Sequence, residues 1–172
     1  MELMQNRLEV LRFLNEHNIP YRFYEHERAF SIDECLQMQF ISDQITIFKN
    51  ILLCNRQKTN FYLMLLKPQT FFRTAVVSKA LGVSRLSFAP EEALAQRLHL
   101  TSGSVSPLAL LFDKQHEICL CYEKGVLDTP EIAFHPCDNS ATVVFTQNVF
   151  WNQVLPAMSI VPVSVELEEI NT

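Results

Sequence analysis

Ile45-Thr46-Ile47-Phe48-Lys49-Asn50-Ile51-Leu52-Leu53-Cys54 is the stretch on which the reading of the fold turns. It is rich in apolar and β-branched residues and holds neither glycine nor proline, so it reads as one strand. Alternation puts Ile47, Lys49, Ile51 and Leu53 on one face and Phe48, Asn50, Leu52 and Cys54 on the other. A polar turn, Asn55 to Thr59, separates it from Phe61 to Leu66, and the pair reads as a β-hairpin. Lys49 is out of place on an otherwise apolar face, because a buried ammonium is costly unless it is paired or meets a polar cavity. Two readings stand: a rim lysine that snorkels to water, or a fixed cation facing a pocket, able to hold phosphate or developing negative charge.

Outward toward the N-terminus, Leu3, Leu8, Leu11 and Leu14 fit the apolar stripe of a helix over about residues 3–17, ended by Asn18 and Pro20. Tyr21 to Glu25 alternates as a short strand, and Ser31 with Glu34 is a capping-box signature for a helix near 32–39. Toward the C-terminus, Thr74 is placed to cap a helix ending at Leu81 before Gly82, and Arg85–Phe88 reads as a short strand. Pro90, Glu91 and Glu92 open another helix that fades by Leu100. Leu108–Phe112 and Ile118–Tyr122, flanking Asp113 to His116, read as a second hairpin. Ile132–Phe134 and Ala141–Phe145 read as strands, Thr146 as the cap of a helix to about Leu155, and Pro162–Leu167 as a last strand. Interspersed helices and strands indicate an α+β or mixed-sheet fold, with no linker or repeat to divide residues 1–172.

Two polar loops carry candidate chemistry. Thr101-Ser102-Gly103-Ser104-Val105-Ser106-Pro107 holds one of only three glycines in 172 residues. Glycine admits backbone geometry that turns amides toward a ligand, although a plain helix-to-strand connection explains the run equally simply. His135-Pro136-Cys137-Asp138-Asn139-Ser140 follows a strand, so His135 suits substrate positioning or proton handling, and the alternative is a solvent-facing turn. His26, between Glu25 and Glu27, is more weakly marked. Cys137 lacks any neighbouring base in sequence and reads as a packing residue.

Composition excludes several classes. With 48 % hydrophobic and 19 % charged residues the chain is an ordinary globular one, and a net charge of −5 argues against generalised capture of nucleic acid, DNA included. No run approaches the ~20 apolar residues of a membrane span and the N-terminus lacks a signal core, so a cytoplasmic protein without membrane association is expected. The five cysteines are odd in number and scattered, with no CxxC pair to suggest zinc. Cys119 and Cys121 share one side of a strand as small core residues. There is no P-loop, dinucleotide fingerprint, HExxH or GxSxG, and no cofactor or metal is expected.

Lys49-Asn50-Ile51-Leu52-Leu53, Gly103 to Pro107 and Phe134-His135-Pro136-Cys137-Asp138-Asn139-Ser140-Ala141-Thr142, in this order, resemble the aminoacyl-tRNA editing domain family. This is the family of YbaK and of the domain inserted in prolyl-tRNA synthetases, and the likeness extends from Ile19 through Val154, especially to free-standing members that deacylate Ala-tRNA(Pro). The resemblance implies a curved, barrel-like mixed sheet surrounded by helices and a pocket for the aminoacylated 3′ end of tRNA(Pro). It implies that Lys49 binds the terminal adenosine or its phosphate and that backbone amides of Gly103, Ser104, Val105, Ser106 and Pro107's loop hold the ester carbonyl. It implies that His135 orients the aminoacyl group and favours alanine over the cysteine of the YbaK branch. Asn50, His26, Ser31 and Asn139 are the further substrate-binding candidates, and prolyl-tRNA synthetase is a candidate partner. The chain departs from the family at His26-Glu27, where His-Pro is common, at Ser31 in place of Thr, and at Phe71-Phe72-Arg73-Thr74 in place of an acidic turn. The alternatives are a Cys-tRNA(Pro) deacylase and a module that binds tRNA or synthetase without hydrolysis.

Overall fold

The chain changes sheets at Phe48. In the computed structural model, which describes residues 2–167, the expected single strand over 45–54 is two, Ile45–Ile47 and Lys49–Cys54, lying in different sheets. Phe48 at the corner is 2 % exposed and its ring centroid lies 5.3 Å from that of Phe134. Burying such a ring is worth roughly 1.5–3 kcal/mol, enough to favour a corner that continued alternation would not predict.

The helices are α1 (Glu2–Glu16), α2 (Ile32–Leu36), α3 (Thr74–Leu81) and α4 (Glu91–Leu98). A last helix, α5, joins α-helical Gln147–Val149 and Leu155–Ala157 through a π-helical stretch, Phe150–Val154. The strands are β1 (Arg22–Glu25), β2 (Ile45–Ile47), β3 (Lys49–Cys54), β4 (Phe61–Leu66), β5 (Ser87–Phe88), β6 (Ile118–Glu123), β7 (Glu131–Phe134), β8 (Ala141–Thr146) and β9 (Val163–Val165). One sheet runs β1-β8-β7-β2 and the other β5-β3-β4-β6-β9. The pairs β2–β7, β4–β6 and β6–β9 are parallel and the rest antiparallel, including the expected β3–β4 hairpin. The α+β architecture with mixed sheets is as expected, but the sheet is divided in two and neither half closes on itself.

Strands β3 and β4 read as near-continuous apolar runs because both of their faces are buried. Leu52, Leu63 and Leu65 join the main core with Val10 and Leu14 of α1, Leu98 of α4 and Phe145 and Phe150. Leu53, Met64 and Leu66 face the other way, into a second cluster with Val77 of α3, Leu86 and Cys121. The paired cysteines of β6 behave as expected, Cys121 fully buried and Cys119 half-buried, with 3.7 Å between their sulfurs.

Three local expectations fail. Pro107–Phe112 is a 3-10 helix instead of a strand, so the hairpin around Asp113 to His116 does not form and β6 pairs with β4. Pro107 supplies the preset φ of a first helical position, Ser106 Oγ accepts from Leu108 N, and Leu108, Ala109 and Leu110 are all buried. Thr74 is the first helical residue and the capping position falls on Arg73, whose side chain makes no capping bond. Helix α2 stops at Leu36, though its start is as read, with Ser31 Oγ accepting from Glu34 N. No helix among the described residues is long and apolar enough to cross a membrane.

Candidate active site

The corner at Phe48 places Lys49 and Asn50 at the mouth of a cavity of about 270 Å³ between the two sheets. Ala29 to Ile32 and Cys35 form one wall, Gly103 and Val105 a second, and Ala133, Phe134, His135 and Thr142 a third. Lys49, Asn50, Gly103, Val105, His135 and Ser31 thus meet in one cavity from four separate parts of the chain. Ser104, Ser106, Pro107, His26 and Asn139 do not line it.

Lys49 begins β3 and is half-buried, not mid-strand as read from the alternation. Its Nζ donates to the Thr70 carbonyl at 3.0 Å, and no carboxylate among the described residues pairs with it. An ammonium has three donors, so two remain for a ligand. Thr70 is itself held from behind: its hydroxyl donates to the Glu123 carboxylate, which also accepts from Lys67 N. Asn50 donates through Nδ2 to the Phe48 carbonyl at 3.3 Å, while its Oδ1 is buried without a partner among the described residues. Both residues line the cavity although they are consecutive in the unbroken β3–β4 register, which alternates side chains between the two faces of the strand.

The glycine loop divides its labour. Gly103 adopts φ +90°, a conformation that side-chain-bearing residues rarely reach, with open space where a Cβ would stand. Ser104 is buried and its N–H donates back to the Thr101 carbonyl at 3.2 Å. Ser106 is buried as the cap of the 3-10 helix that begins at Pro107. The amides of Gly103 and Val105 have no partner among the described residues, and both residues face the cavity.

His135 comes directly after the end of β7 and its protonation follows from its neighbours. Nδ1 lies 2.8 Å from the Ala141 carbonyl, which can only accept, so Nδ1 carries the proton and Nε2 a lone pair. Burial lowers its pKa below the ordinary 6.5, the Ala141 bond opposes this, and His26 adds to the lowering. The neutral ring's Nε2 lies 3.7 Å from the Cys35 sulfur. Burial, with Glu34 nearby, raises the Cys35 thiol, so it stays protonated. His26 sits behind this wall, with Nδ1 donating to the Glu27 carbonyl at 2.6 Å and Nε2 2.8 Å from the Thr142 hydroxyl.

Asn139 shapes the cavity from outside it. Its Nδ2 donates to the Ala29 carbonyl and its own carbonyl accepts from Ala29 N, each at 3.0 Å, which clamps the wall that carries Ser31. Burial would raise Asp138, but two bonds from Ser140 and the charges of Arg7 and Arg28 outweigh it and hold its carboxyl below the usual range. Cys137 is fully buried and its thiol is pushed up by burial, the opposite of an activated nucleophile. Cys35, Thr70 and Glu123 escaped the sequence reading, since nothing local distinguishes them. Thr142 could have been singled out as the first inward residue after the polar loop. No group of three or more His, Cys, Asp or Glu among the described residues is arranged to hold a metal.

A family model described as the aminoacyl-tRNA editing domain matches residues 26–150. The prolyl-tRNA editing protein ProX of Acetoanaerobium sticklandii is 32 % identical over 143 residues, covering 83 % of this chain and 87 % of that protein. Prolyl-tRNA synthetase associated domain-containing protein 1 of Danio rerio is 28 % identical over 143 residues, covering 81 % and 76 %. A solved structure of a candidate trans-editing enzyme for prolyl-tRNA synthetase superposes with a TM-score of 0.71 over 95 % of this chain and 97 % of that one, at 15 % identity, a likeness of fold.

Proposed function

Because this chain belongs to the aminoacyl-tRNA editing domain family, we propose that it is a trans-acting deacylase that hydrolyses the ester of mischarged tRNA(Pro), with Ala-tRNA(Pro) as its substrate. The observation that carries the reading is the meeting of Lys49, Gly103, Val105 and His135 around one small cavity. Water attacking an ester carbonyl generates an oxyanion, and the partnerless amides of Gly103 and Val105 are preorganised donors for it. The amide of Ser104 is spent on Thr101 and Ser106 does not line the cavity, which leaves Gly103 and Val105 as the loop's two donors there. Lys49, tethered through one of its three donors, offers its charge to the terminal phosphate or adenosine.

His135 Nε2 and the orphaned Asn50 Oδ1 are acceptors at a site whose substrate carries an α-ammonium group with three donors. A buried acceptor without a partner costs roughly 1–3 kcal/mol, which a substrate donor would offset. Neither group is placed as a strong base, and the hydroxyl of the terminal ribose beside the ester supplies the route for the water's proton. Apolar walls from Ala29, Ile47, Ile51 and Ala133 accept a methyl side chain, and rejection of cognate proline rests in this reading on steric exclusion of its ring.

The test is a panel of separately charged tRNA(Pro) species with purified protein. Ala-tRNA(Pro) loses its alanine while Pro-tRNA(Pro) stays intact, and Lys49→Ala lowers single-turnover hydrolysis by about a hundredfold. Clearance of Cys-tRNA(Pro) alone moves the chain to the other branch, and tight tRNA binding with no hydrolysis of any species makes it a binding module. Association with prolyl-tRNA synthetase belongs to the same proposal and is read by co-elution with and without tRNA.

A further inference from the structure

We propose that Phe71 and Arg73 form a platform on which a nucleobase preceding the terminal adenosine stacks, so that the enzyme reads the unpaired 3′ strand and not only the aminoacyl-adenosine. The inference rests on the deacylase reading for its occupant, and its observations lie outside the cavity. Phe71 is 68 % exposed, and the Arg73 guanidinium carbon stands 5.1 Å above its ring centroid. A lone exposed phenylalanine is unremarkable on a protein surface. This one follows directly on Thr70, whose carbonyl binds Lys49 Nζ, so one backbone bond links the platform's loop to the cavity's lysine. Glu123 pins the loop's root through the Thr70 hydroxyl and Lys67 N, which fixes the distance between platform and cavity.

Charge decides the direction in which a strand can leave. A second recess, which Lys49 shares with Ile32, Asp33, Leu36, Pro68 and Gln69, carries the Asp33 carboxylate, which repels phosphate. Arg73 is exposed and has no carboxylate partner among the described residues. An aromatic face beside an unpaired cation is the combination by which proteins hold single-stranded nucleic acid without reading its sequence. The 3′ end of a tRNA is such a strand, and the base next to the terminal adenosine loses one stacking neighbour once that adenosine enters the cavity.

The experiment compares full-length Ala-tRNA(Pro) with 3′-alanyl-adenosine, which lacks every preceding nucleotide. Phe71→Ala raises KM for the tRNA roughly fivefold or more and leaves kcat and the hydrolysis of alanyl-adenosine unchanged, while Phe71→Trp restores the tRNA KM. Arg73→Gln lowers the salt dependence of KM for the tRNA alone. Equal effects on both substrates, or none on either, overturn the platform. Binding of uncharged tRNA(Pro) separates the two readings: a wild type that clears no ester yet binds at least fivefold tighter than Phe71→Ala refutes the deacylase and keeps the platform. Equal binding by wild type and variant refutes the platform whatever the chemistry.

Discussion

Two loops serve the cavity, one through His135 in its lining and one through the Thr70 carbonyl on Lys49, and they are built on opposite plans. His135 to Ser140 is nearly all interior: Pro136, Cys137, Asp138 and Asn139 are buried, and each polar side chain among them is bonded to Ser140, Arg7 or Ala29. Lys67 to Arg73 is held at its root by Glu123 and Lys49 and at its end by the Arg73 carbonyl on α3, and turns Phe71 out to solvent. The first loop spends its polar groups on holding His135 and the Ser31 wall in place. The second leaves an aromatic ring and a cation outward, where they contribute little to folding. Within one site, then, one loop positions groups and the other offers a surface, and polar groups alone do not separate the two.

Stability measurements break that contrast if it is wrong. Asp138→Ala removes a carboxylate serving Ser140 twice and Arg7 once, and lowers unfolding free energy by about 3 kcal/mol in denaturant titrations. Asn139→Ala leaves the Ala29 carbonyl unpaired and costs about 2 kcal/mol by the same measurement, with a loss of deacylation that Ser31 and its wall explain. Ser31→Ala removes the α2 cap for about 1 kcal/mol. Phe71→Ala changes stability by less than about 0.5 kcal/mol while weakening tRNA use, since an exposed side chain carries little folding energy.

A pH series sharpens the first loop further. The folded state holds His135 below the ordinary 6.5, with His26, Asp138 and the Cys35 thiol as its titratable neighbours. As pH falls below about 6.5 the unfolded chain takes up this proton before the folded one, so stability drops until the folded value is passed. Thermal unfolding between pH 7.5 and 5 shows this fall in the wild type, and His135→Asn flattens it. An unchanged slope in that variant assigns the protonation elsewhere.

How much of this was legible beforehand depends on the range of the cause. Helix starts at Ser31 and Thr146, the stop at Gly82 and the β3–β4 hairpin follow from caps, glycine geometry and alternation, all local properties. Leu108–Phe112 misled because a short apolar run has no period of its own, and burial on every side suits a 3-10 helix as well as a strand. Lys49 was visible as a misplaced charge, and the three motifs pointed to one family.

By itself the sequence determined most of the element types, with Leu108–Phe112 the exception, the family, and that Lys49, the Gly103 loop and His135 were the residues to watch. Only the tertiary structure decided that the 45–54 stretch bends at Phe48, because the reward for the corner is a ring packed against Phe134, more than eighty residues away. Beyond that bend Lys49 and Asn50 line one cavity, Thr70 and Glu123 stand behind the lysine, and Phe71 follows Thr70 with its ring exposed. Contacts between distant segments carry no local signature, and the working geometry of this site is made almost entirely of them.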